Sequence, residues 1–309
     1  MRVGHRSVKY NPAMDVSRGL LDSWRRSLHS KRPRTIGLYV SVADGFLDWL
    51  RANDLELLDP GRREFESWFA EMRDRGLSPA TLRSRWIALR NLYGWLTDEE
   101  EISVNPMAKV KVPKVVSQPI KMPTDADIKA LFATCADRRG FYDVRDLAIL
   151  RTMAATGLRL AEVADLALTD VDLNQRVLHV RDGKGGRGRY VRIDAATAEA
   201  LDRWTRRHRA GHKNADLPNL WLGFRGPFGR KGIGEMVPRR AKEAGIDHIH
   251  PHALRHFFAD HWLREGGNEQ DLLMLGGWEN RDVMRRYGSA RAADRALTAY
   301  DTIKPLGTL

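Results

Sequence analysis

Residues 251–256 read Pro-His-Ala-Leu-Arg-His, and the interpretation of the whole chain starts from this stretch. Pro251 suits the first turn of a helix, where its missing N–H group leaves no hydrogen bond unmade. On that helix His252 and Arg255 are three residues apart and share one face. The stretch therefore places a group that can transfer protons beside a guanidinium that can hold an anion.

The same stretch also admits a metal site. His252 and His256 have the i, i+4 spacing of two ligands on one helix, and further histidines lie at 248, 250 and 261. The zinc-protease form of this motif needs a glutamate directly after its first histidine, and this chain has Ala253 there. Histidines near a site also often serve in packing, so metal binding is the minor alternative.

An arginine further towards the N-terminus lies at a predicted junction of two helices. One helix ends at Gly157 and another begins after it, which leaves Arg159 able to present its planar guanidinium to a phosphate. A surface arginine paired with Glu162, one helical turn away, would produce the same pattern. The segment alone does not separate the two readings.

The residues from Val177 to Ile193 predict two short strands around a glycine-rich turn with Lys184 at its tip. Glycines beside a lysine suggest a phosphate cradle, but the Ser or Thr of the full P-loop pattern is absent. ATP binding is therefore disfavoured, and a solvated hairpin turn remains the alternative.

Two aromatic residues complete the set. Trp278 follows two glycines, and Tyr287 comes nine positions later, directly before Gly288. A tyrosine at a helix end is usually a half-buried packing residue, so its position alone does not indicate chemistry.

Composition limits the partners and the compartment. The 309 residues carry a formal net charge of +12, and the isoelectric point is near 10.0, which favours a polyanionic partner such as nucleic acid. One cysteine, Cys135, cannot form an internal disulfide. The first twenty residues lack the apolar core of a signal peptide, and no apolar run has membrane-spanning length. We expect a cytoplasmic, nucleoid-associated protein of prokaryotic or phage origin.

Apolar spacing predicts helices over residues 35–50, 62–75 and 80–96, with Ser78 and Pro79 starting the last of these. A second domain opens at Thr124, which has capping-box spacing to Asp127. The predicted parts are a basic tail (1–19), a helical DNA-binding domain (20–108), a basic extended linker (109–123) and a catalytic domain with a C-terminal tail (124–309).

Several basic residues are candidates for contacts to DNA phosphates. They lie on the helix after Ser78, in the proline-rich linker and next to the lysine turn. These candidates are Arg83, Arg85, Arg90, Lys109, Lys111, Lys114, Arg187 and Arg189.

Taken in order, Arg159, Lys184, the box from His252 to His256, Trp278 and Tyr287 resemble the motifs of the tyrosine recombinase (phage integrase) family. The resemblance extends over nearly the whole chain from about Leu20 and is nearest to the simple Xer-like or Cre-like type. Many bacterial members have Leu-Gly-His where this chain has Gly-Gly-Trp, but some have Trp at that position. The implied fold is mainly α with a small β-sheet or hairpin, arranged as a two-domain DNA clamp.

The resemblance implies a role for each residue. Tyr287 is the nucleophile that forms a 3′-phosphotyrosine bond, because taking the phosphate onto the enzyme preserves the energy of the phosphodiester. Arg159 and Arg255 stabilise the transition state, and Lys184 donates the proton that the leaving oxygen needs. His252 orients a phosphate oxygen or accepts the tyrosine proton, and Trp278 supports the site. The neighbours Glu162 and His256 hold catalytic groups in place.

The expected partners are duplex DNA recombination sites, a homotetramer on paired sites, and an accessory protein that sets direction. No cofactor, metal or ATP is required. The biological task is integration or excision of a mobile element, or resolution of DNA multimers. The alternatives are a DNA-binding regulator that does not cut, a type IB topoisomerase-like relaxing activity, and a zinc hydrolase built on the histidines.

Overall fold

The structure is a computed structural model that describes residues 12–114, 121–135, 140–181 and 188–278. The chain divides into two compact units, Met1–Pro119 and Ile120–Leu309. Helices dominate the described residues of both units, and small antiparallel sheets occur in the second. The predicted fold class, mainly helical with a small β-sheet in a two-domain chain, is confirmed.

The helices of the first unit begin and end at local sequence signals. The Ser78 hydroxyl accepts a hydrogen bond from the Thr81 N–H at 3.2 Å, and Pro79 occupies the first helical position, as predicted. The described α-helices of this unit are α1 (Pro12–Ser27), α2 (Pro33–Ala52), α3 (Arg62–Asp74) and α4 (Pro79–Asp98). The predicted helices correspond to α2, α3 and α4.

Aromatic side chains form the centre of the first unit. Phe46, Phe65 and Tyr93 are fully buried, and the rings of Phe65 and Tyr93 meet edge to face with centroids 4.8 Å apart. The Tyr93 hydroxyl donates to the Leu57 carbonyl at 2.8 Å, so its burial leaves no polar group unpaired. Burial of each such side chain stabilises the folded state by about 1.5–3 kcal/mol, so apolar packing holds these helices together.

The packing of the first unit continues into the predicted linker. Val110 is buried, and its carbonyl accepts a hydrogen bond from the Trp86 indole at 3.1 Å. The neighbouring Lys109, Lys111 and Lys114 are exposed. The chain therefore stays attached to the first core through Val110.

The second unit combines helices with short strands. Its described α-helices are α5 (Asp125–Ala133), α6 (Phe141–Thr156), α7 (Leu160–Ala164), α8 (Ala195–Arg203), α9 (Arg230–Glu243), α10 (Pro251–Arg264) and α11 (Glu269–Gly276). Its described strands are β1 (Val171–Asp172), β2 (Val177–Val180), β3 (Arg189–Arg192), β4 (Leu222–Gly223) and β5 (Gly226–Pro227).

Two local predictions for this unit are confirmed. The Asp127 N–H donates to the Thr124 hydroxyl at 3.1 Å, and the Thr124 N–H donates to the Asp127 carboxylate at 2.8 Å, which is a capping box. Strands β2 and β3 pair antiparallel, with Leu178 opposite Val191. Strand β1 pairs with β2 but was not predicted, because its two residues are too few to show an alternation of apolar and polar side chains.

Helix α6 lies at the centre of the second unit and is buried along most of its length. Two of its charged residues, Arg145 and Asp146, are buried. Asp146 accepts hydrogen bonds from Arg145 at 2.7 Å and from Arg240 of α9 at 3.0 Å. Because all three side chains are nearly inaccessible to water, these bonds attach α6 to α9 and compensate the buried charges. Every helix among the described residues is too short or too polar to span a membrane.

We expect Asp146→Ala to lower the free energy of unfolding of the second unit by about 3–5 kcal/mol, because it removes the carboxylate paired with the buried Arg145 and one of the carboxylates paired with Arg240. Urea unfolding followed by circular dichroism measures the change. The matched control is Asp202→Ala, which removes an ion pair to Arg206 from a carboxylate that is 42% exposed. The control substitution should lower the free energy of unfolding by less than about 1 kcal/mol. Equal losses in the two variants would contradict a structural role for the Asp146 network.

Candidate active site

Arg255 is the most deeply buried cation of the predicted site. It lies on α10, and its side chain is 2% exposed. Its Nη1 donates to the Gly157 carbonyl at 2.5 Å and its Nη2 donates to the Gly276 carbonyl at 2.8 Å. The Trp278 ring covers the guanidinium, with its centroid 3.8 Å from the Cζ atom. The packing role expected for Trp278 is therefore a stacking contact on Arg255.

Arg159 lies at the junction of α6 and α7, as predicted, and directly precedes the first residue of α7. Its backbone N–H donates to Glu162 Oε2 at 2.8 Å, and its Nη1 donates to Glu162 Oε1 at 2.9 Å. Its Nη2 donates to the Gly277 carbonyl. The side chain is 30% exposed, so it is the most accessible arginine of the cluster.

A third arginine joins these two. Arg189, the first residue of β3, donates from Nη1 and Nη2 to the two oxygens of Glu162 at 3.1 and 2.9 Å. Its Nε donates to the Leu275 carbonyl at 2.8 Å. Arg189 was predicted as a DNA contact, but its side chain is 14% exposed and points into the cluster. The strand alternation offered a signal, because Arg189 shares a face with the buried Val191.

The C-terminal end of α11 organises the cluster. Three consecutive carbonyls, those of Leu275 and Gly276 in its last turn and that of Gly277 directly after it, each accept a hydrogen bond from a different arginine. The last carbonyls of a helix have no partner within the helix, and they form the negative end of its dipole. The helix end therefore attracts and orients three cations directly before Trp278.

The charges of this cluster do not balance. Within residues 12–114, 121–135, 140–181 and 188–278, which the structure describes, Arg159, Arg189 and Arg255 bring three positive charges to one carboxylate, that of Glu162. Burial and then the positive charge of Arg159 lower the pKa of Arg255 to about 9. Burial alone raises the pKa of Glu162, but hydrogen bonds from Arg189 and from the Arg159 backbone outweigh it, so this pKa lies below 4.5. The excess positive charge favours a bound anion.

The two histidines of the box differ in exposure. His252 is exposed near the start of α10, whereas His256 is buried one turn later. Their ring centroids are 4.2 Å apart. Among the described residues there is no group of three or more His, Cys, Asp or Glu side chains that could hold a metal ion.

Glycines permit the close approaches in this site. Gly157 has φ +60°, and a Cβ atom there would lie 2.3 Å from the Phe258 ring. Gly277 has φ +63°, and a Cβ atom there would lie 3.2 Å from Arg189 and 3.3 Å from Arg159. These glycines carry two of the carbonyls that accept from the arginines. Gly157 was predicted as a helix end and Gly277 was noted as a neighbour of Trp278, but the steric role of the two glycines was not predicted.

The remaining predicted residues lie elsewhere. Lys184, Arg187 and Tyr287 fall outside the described residues. On α4, Arg83 and Arg90 are exposed. Arg85 is half-buried, lies 5.9 Å from the Trp68 ring and contacts the Met72 sulfur, which fits packing better than a phosphate contact.

The sequence matches two family models. The model described as the phage integrase family matches residues 122–293, and the model described as the phage integrase N-terminal SAM-like domain matches residues 21–100. The chain is also 32% identical to a tyrosine recombinase XerC from Chromobacterium violaceum, over 89% of this chain and 90% of that protein. A XerC from Actinobacillus pleuropneumoniae is 34% identical over 71% of this chain and 70% of that protein.

Solved structures with the same fold include proteins bound to DNA. The Tn1549 transposon integrase in complex with transposon right-end DNA has a TM-score of 0.74 and 19% identity, covering 93% of this chain and 99% of that chain. The XerH site-specific recombinase bound to a palindromic difH substrate has a TM-score of 0.73 and 16% identity, covering 96% and 91%. At these identities the likeness establishes the fold.

We expect Gly157→Ala to destabilise the second unit more than Gly245→Ala does. Both glycines have positive φ, but an added Cβ meets Phe258 at position 157 and open space at position 245. The left-handed backbone costs each variant about 1–2 kcal/mol, and the clash adds about 1–3 kcal/mol at Gly157 alone. Urea unfolding of the two variants measures the difference, and equal losses would contradict the steric requirement.

The low pKa of Glu162 predicts a stability that depends on pH. Because the folded-state pKa is lowered, the stabilisation is fully present above the unfolded value of 4.5 and is lost as the pH falls through the folded value. Glu162→Gln should therefore cost about 3 kcal/mol near pH 7. The variant and the wild type should converge as the pH falls below 4.5. A difference independent of pH in urea unfolding would show that the charge of Glu162 does not matter.

Proposed function

This chain belongs to the phage integrase family and is a tyrosine recombinase, and from that premise we propose how its own residues cut and rejoin DNA. Tyr287 attacks a backbone phosphate, the arginine cluster around Glu162 holds that phosphate, and Lys184 protonates the leaving oxygen. The strand is rejoined by the reverse reaction at a second site. The observation that carries this proposal is the excess of arginine over carboxylate in a largely buried cluster.

A second arginine cluster in the same unit provides a comparison. Around Asp146, the three cations Arg145, Arg239 and Arg240 meet three carboxylates, those of Asp143, Asp146 and Glu243. That cluster is balanced, as expected of an ionic network that only holds helices together. Around Glu162, three arginines meet one carboxylate of the described part of the chain. Desolvated positive charge of this kind costs stability unless an anion binds. A phosphodiester supplies that anion.

The reaction conserves bonds and protons without an outside reactant. The Tyr287 oxygen bonds to phosphorus while the bond between phosphorus and the 5′ oxygen breaks. The freed 5′ oxygen takes a proton from Lys184, because arginine does not give up a proton readily. His252, exposed on α10, either accepts the Tyr287 proton or orients a phosphate oxygen, and in the second case the Tyr287 proton passes to water. Attack by a 5′ hydroxyl on the phosphotyrosine reverses the step and frees Tyr287.

Arg159 and Arg255 both bind the phosphate, but they differ in how accessible their side chains are. Arg159 is 30% exposed, so it meets the phosphate first. Arg255 is 2% exposed and lies under the Trp278 ring, so a shift of this ring accompanies contact of Arg255 with the phosphate. Both guanidiniums then stabilise the charge that builds up on the non-bridging oxygens in the transition state.

The partners follow from the family. The DNA partner is a duplex recombination site, and the working form is a homotetramer on two paired sites, with an accessory protein to set direction. The task is movement of a mobile element or resolution of DNA multimers, which fits relatives named for a transposon and for a dif-type site. A helical domain (20–108) and a catalytic domain (124–309), joined by a basic linker (109–123), bind the site together. Of the eight proposed phosphate contacts, Arg85 and Arg189 are the least suited, because both are engaged within the protein.

The covalent bond to Tyr287 can be tested directly. DNA sites are first selected from a random pool of duplexes by the purified chain, and a selected site is then nicked so that cleavage is trapped. On denaturing gels, the wild type should give a protein–DNA adduct and Tyr287→Phe should give none, because phenylalanine has no nucleophile. The control Tyr190→Phe, at an exposed tyrosine of β3, should behave as the wild type.

The outcomes separate the alternatives. Absence of an adduct on a demonstrably bound site would support the regulator that does not cut. An adduct together with relaxation of a plasmid that carries one site, but no joining of two sites, would support the topoisomerase-like activity.

A further inference from the structure

The geometry points to a new role for Arg189. We infer that Arg189 is a positioning residue that holds Glu162 and the end of α11 in the arrangement that cleavage needs, and that it does not contact DNA. The inference rests on the proposed function and adds to it a residue that acts through Glu162. Arg189 thereby connects β3, which begins five residues after Lys184 in the sequence, to the arginine cluster.

The hydrogen bonds of Arg189 fix its side chain between two other segments of the second unit. Three of its five N–H groups are used, two on the oxygens of Glu162 and one on the Leu275 carbonyl. This fork geometry is available to arginine and not to lysine, whose ammonium is a point charge. The two partners lie 27 and 86 residues away along the chain. One side chain therefore joins three separate segments of the second unit.

The same contacts argue against a direct DNA contact. A phosphate oxygen would compete with Glu162 for the guanidinium, and the carboxylate, buried at 5% exposure, would lose one of its two arginine partners. By contrast, Arg192 on the same strand is exposed. A loss of Arg189 should therefore affect the chemical step and leave the affinity for DNA nearly unchanged.

Loss of Arg189 should disturb the catalytic residues through the groups that it contacts. Glu162 is shared between Arg189 and Arg159, so without Arg189 the carboxylate can rotate and Arg159 loses its fixed partner. The Leu275 carbonyl also loses its donor, which loosens the helix end that orients Arg255 and precedes Trp278. A displacement of about 1 Å in such groups can lower a rate on the order of 100-fold.

The test compares four full-length proteins on the nicked duplex: wild type, Arg189→Gln, Arg189→Lys and the charge-matched control Arg192→Gln. Gel shifts measure the Kd for DNA, and single-turnover adduct formation at saturating DNA measures the rate. We expect Arg189→Gln and Arg189→Lys to lower this rate on the order of 100-fold, with the Kd within about threefold of the wild type. Arg192→Gln should keep the rate within about threefold.

Two further measurements distinguish positioning from general stability. Millimolar guanidinium chloride, but not sodium chloride at equal ionic strength, should partly restore the rate of Arg189→Ala by filling the vacated position. In a double-mutant cycle, Glu162→Gln combined with Arg189→Gln should cost little more than the more damaging single variant, because both act through one contact. If the two residues acted independently, the fold-losses in rate of the two single variants would multiply in the double variant, and this outcome would contradict the inference.

The failure of this inference can be told from failure of the proposed function. If the wild type forms no adduct on a bound site, both are overturned. If the wild type forms the adduct and Arg189→Gln forms it at the same rate, only the positioning role is overturned. A normal saturated rate with a Kd weakened on the order of tenfold or more would restore Arg189 as a DNA contact.

Discussion

The carbonyl groups at the end of α11 need hydrogen-bond donors, and this requirement organises the second unit around its site. A helix cannot pair its last carbonyls internally. Here the donors come from three arginines, one directly before α7, one on β3 and one on α10. Because the negative end of the helix dipole faces them, the arginines can lie close together despite their like charges. The same bonds orient the cations towards a place where an anion can bind.

The arginine cluster requires glycine at three positions, because a side chain at any of them would be strained or would lie too close to a neighbouring group. Gly157 and Gly277 both adopt positive φ, and each contributes a carbonyl that holds an arginine. At Gly276 a Cβ atom would lie 1.8 Å from the Trp278 ring, so that ring rests on bare backbone while it covers Arg255. The glycines therefore serve the geometry of the site as well as the ends of α6 and α11.

Much of the fold and part of the site could be predicted from local patterns. The caps at Ser78 and Thr124, the helix end at Gly157 and the pairing of β2 with β3 all depend on residues a few positions apart, and the structure has each of them. Arg189 was predicted to contact DNA, whereas the structure bonds its side chain to Glu162 and Leu275, which are distant along the chain. Strand alternation was the one local signal that it points inward.

The sequence by itself determined which residue types are present, the faces they take on their own helices, and the family resemblance from which we propose the roles of Tyr287 and Lys184. Only the tertiary structure decided that Arg159 meets Gly277 across 118 residues, and that Arg159 and Arg189 share one carboxylate. The physical reason is that helix period and capping act over three or four residues, whereas charge compensation depends on which distant segments the packed core brings together.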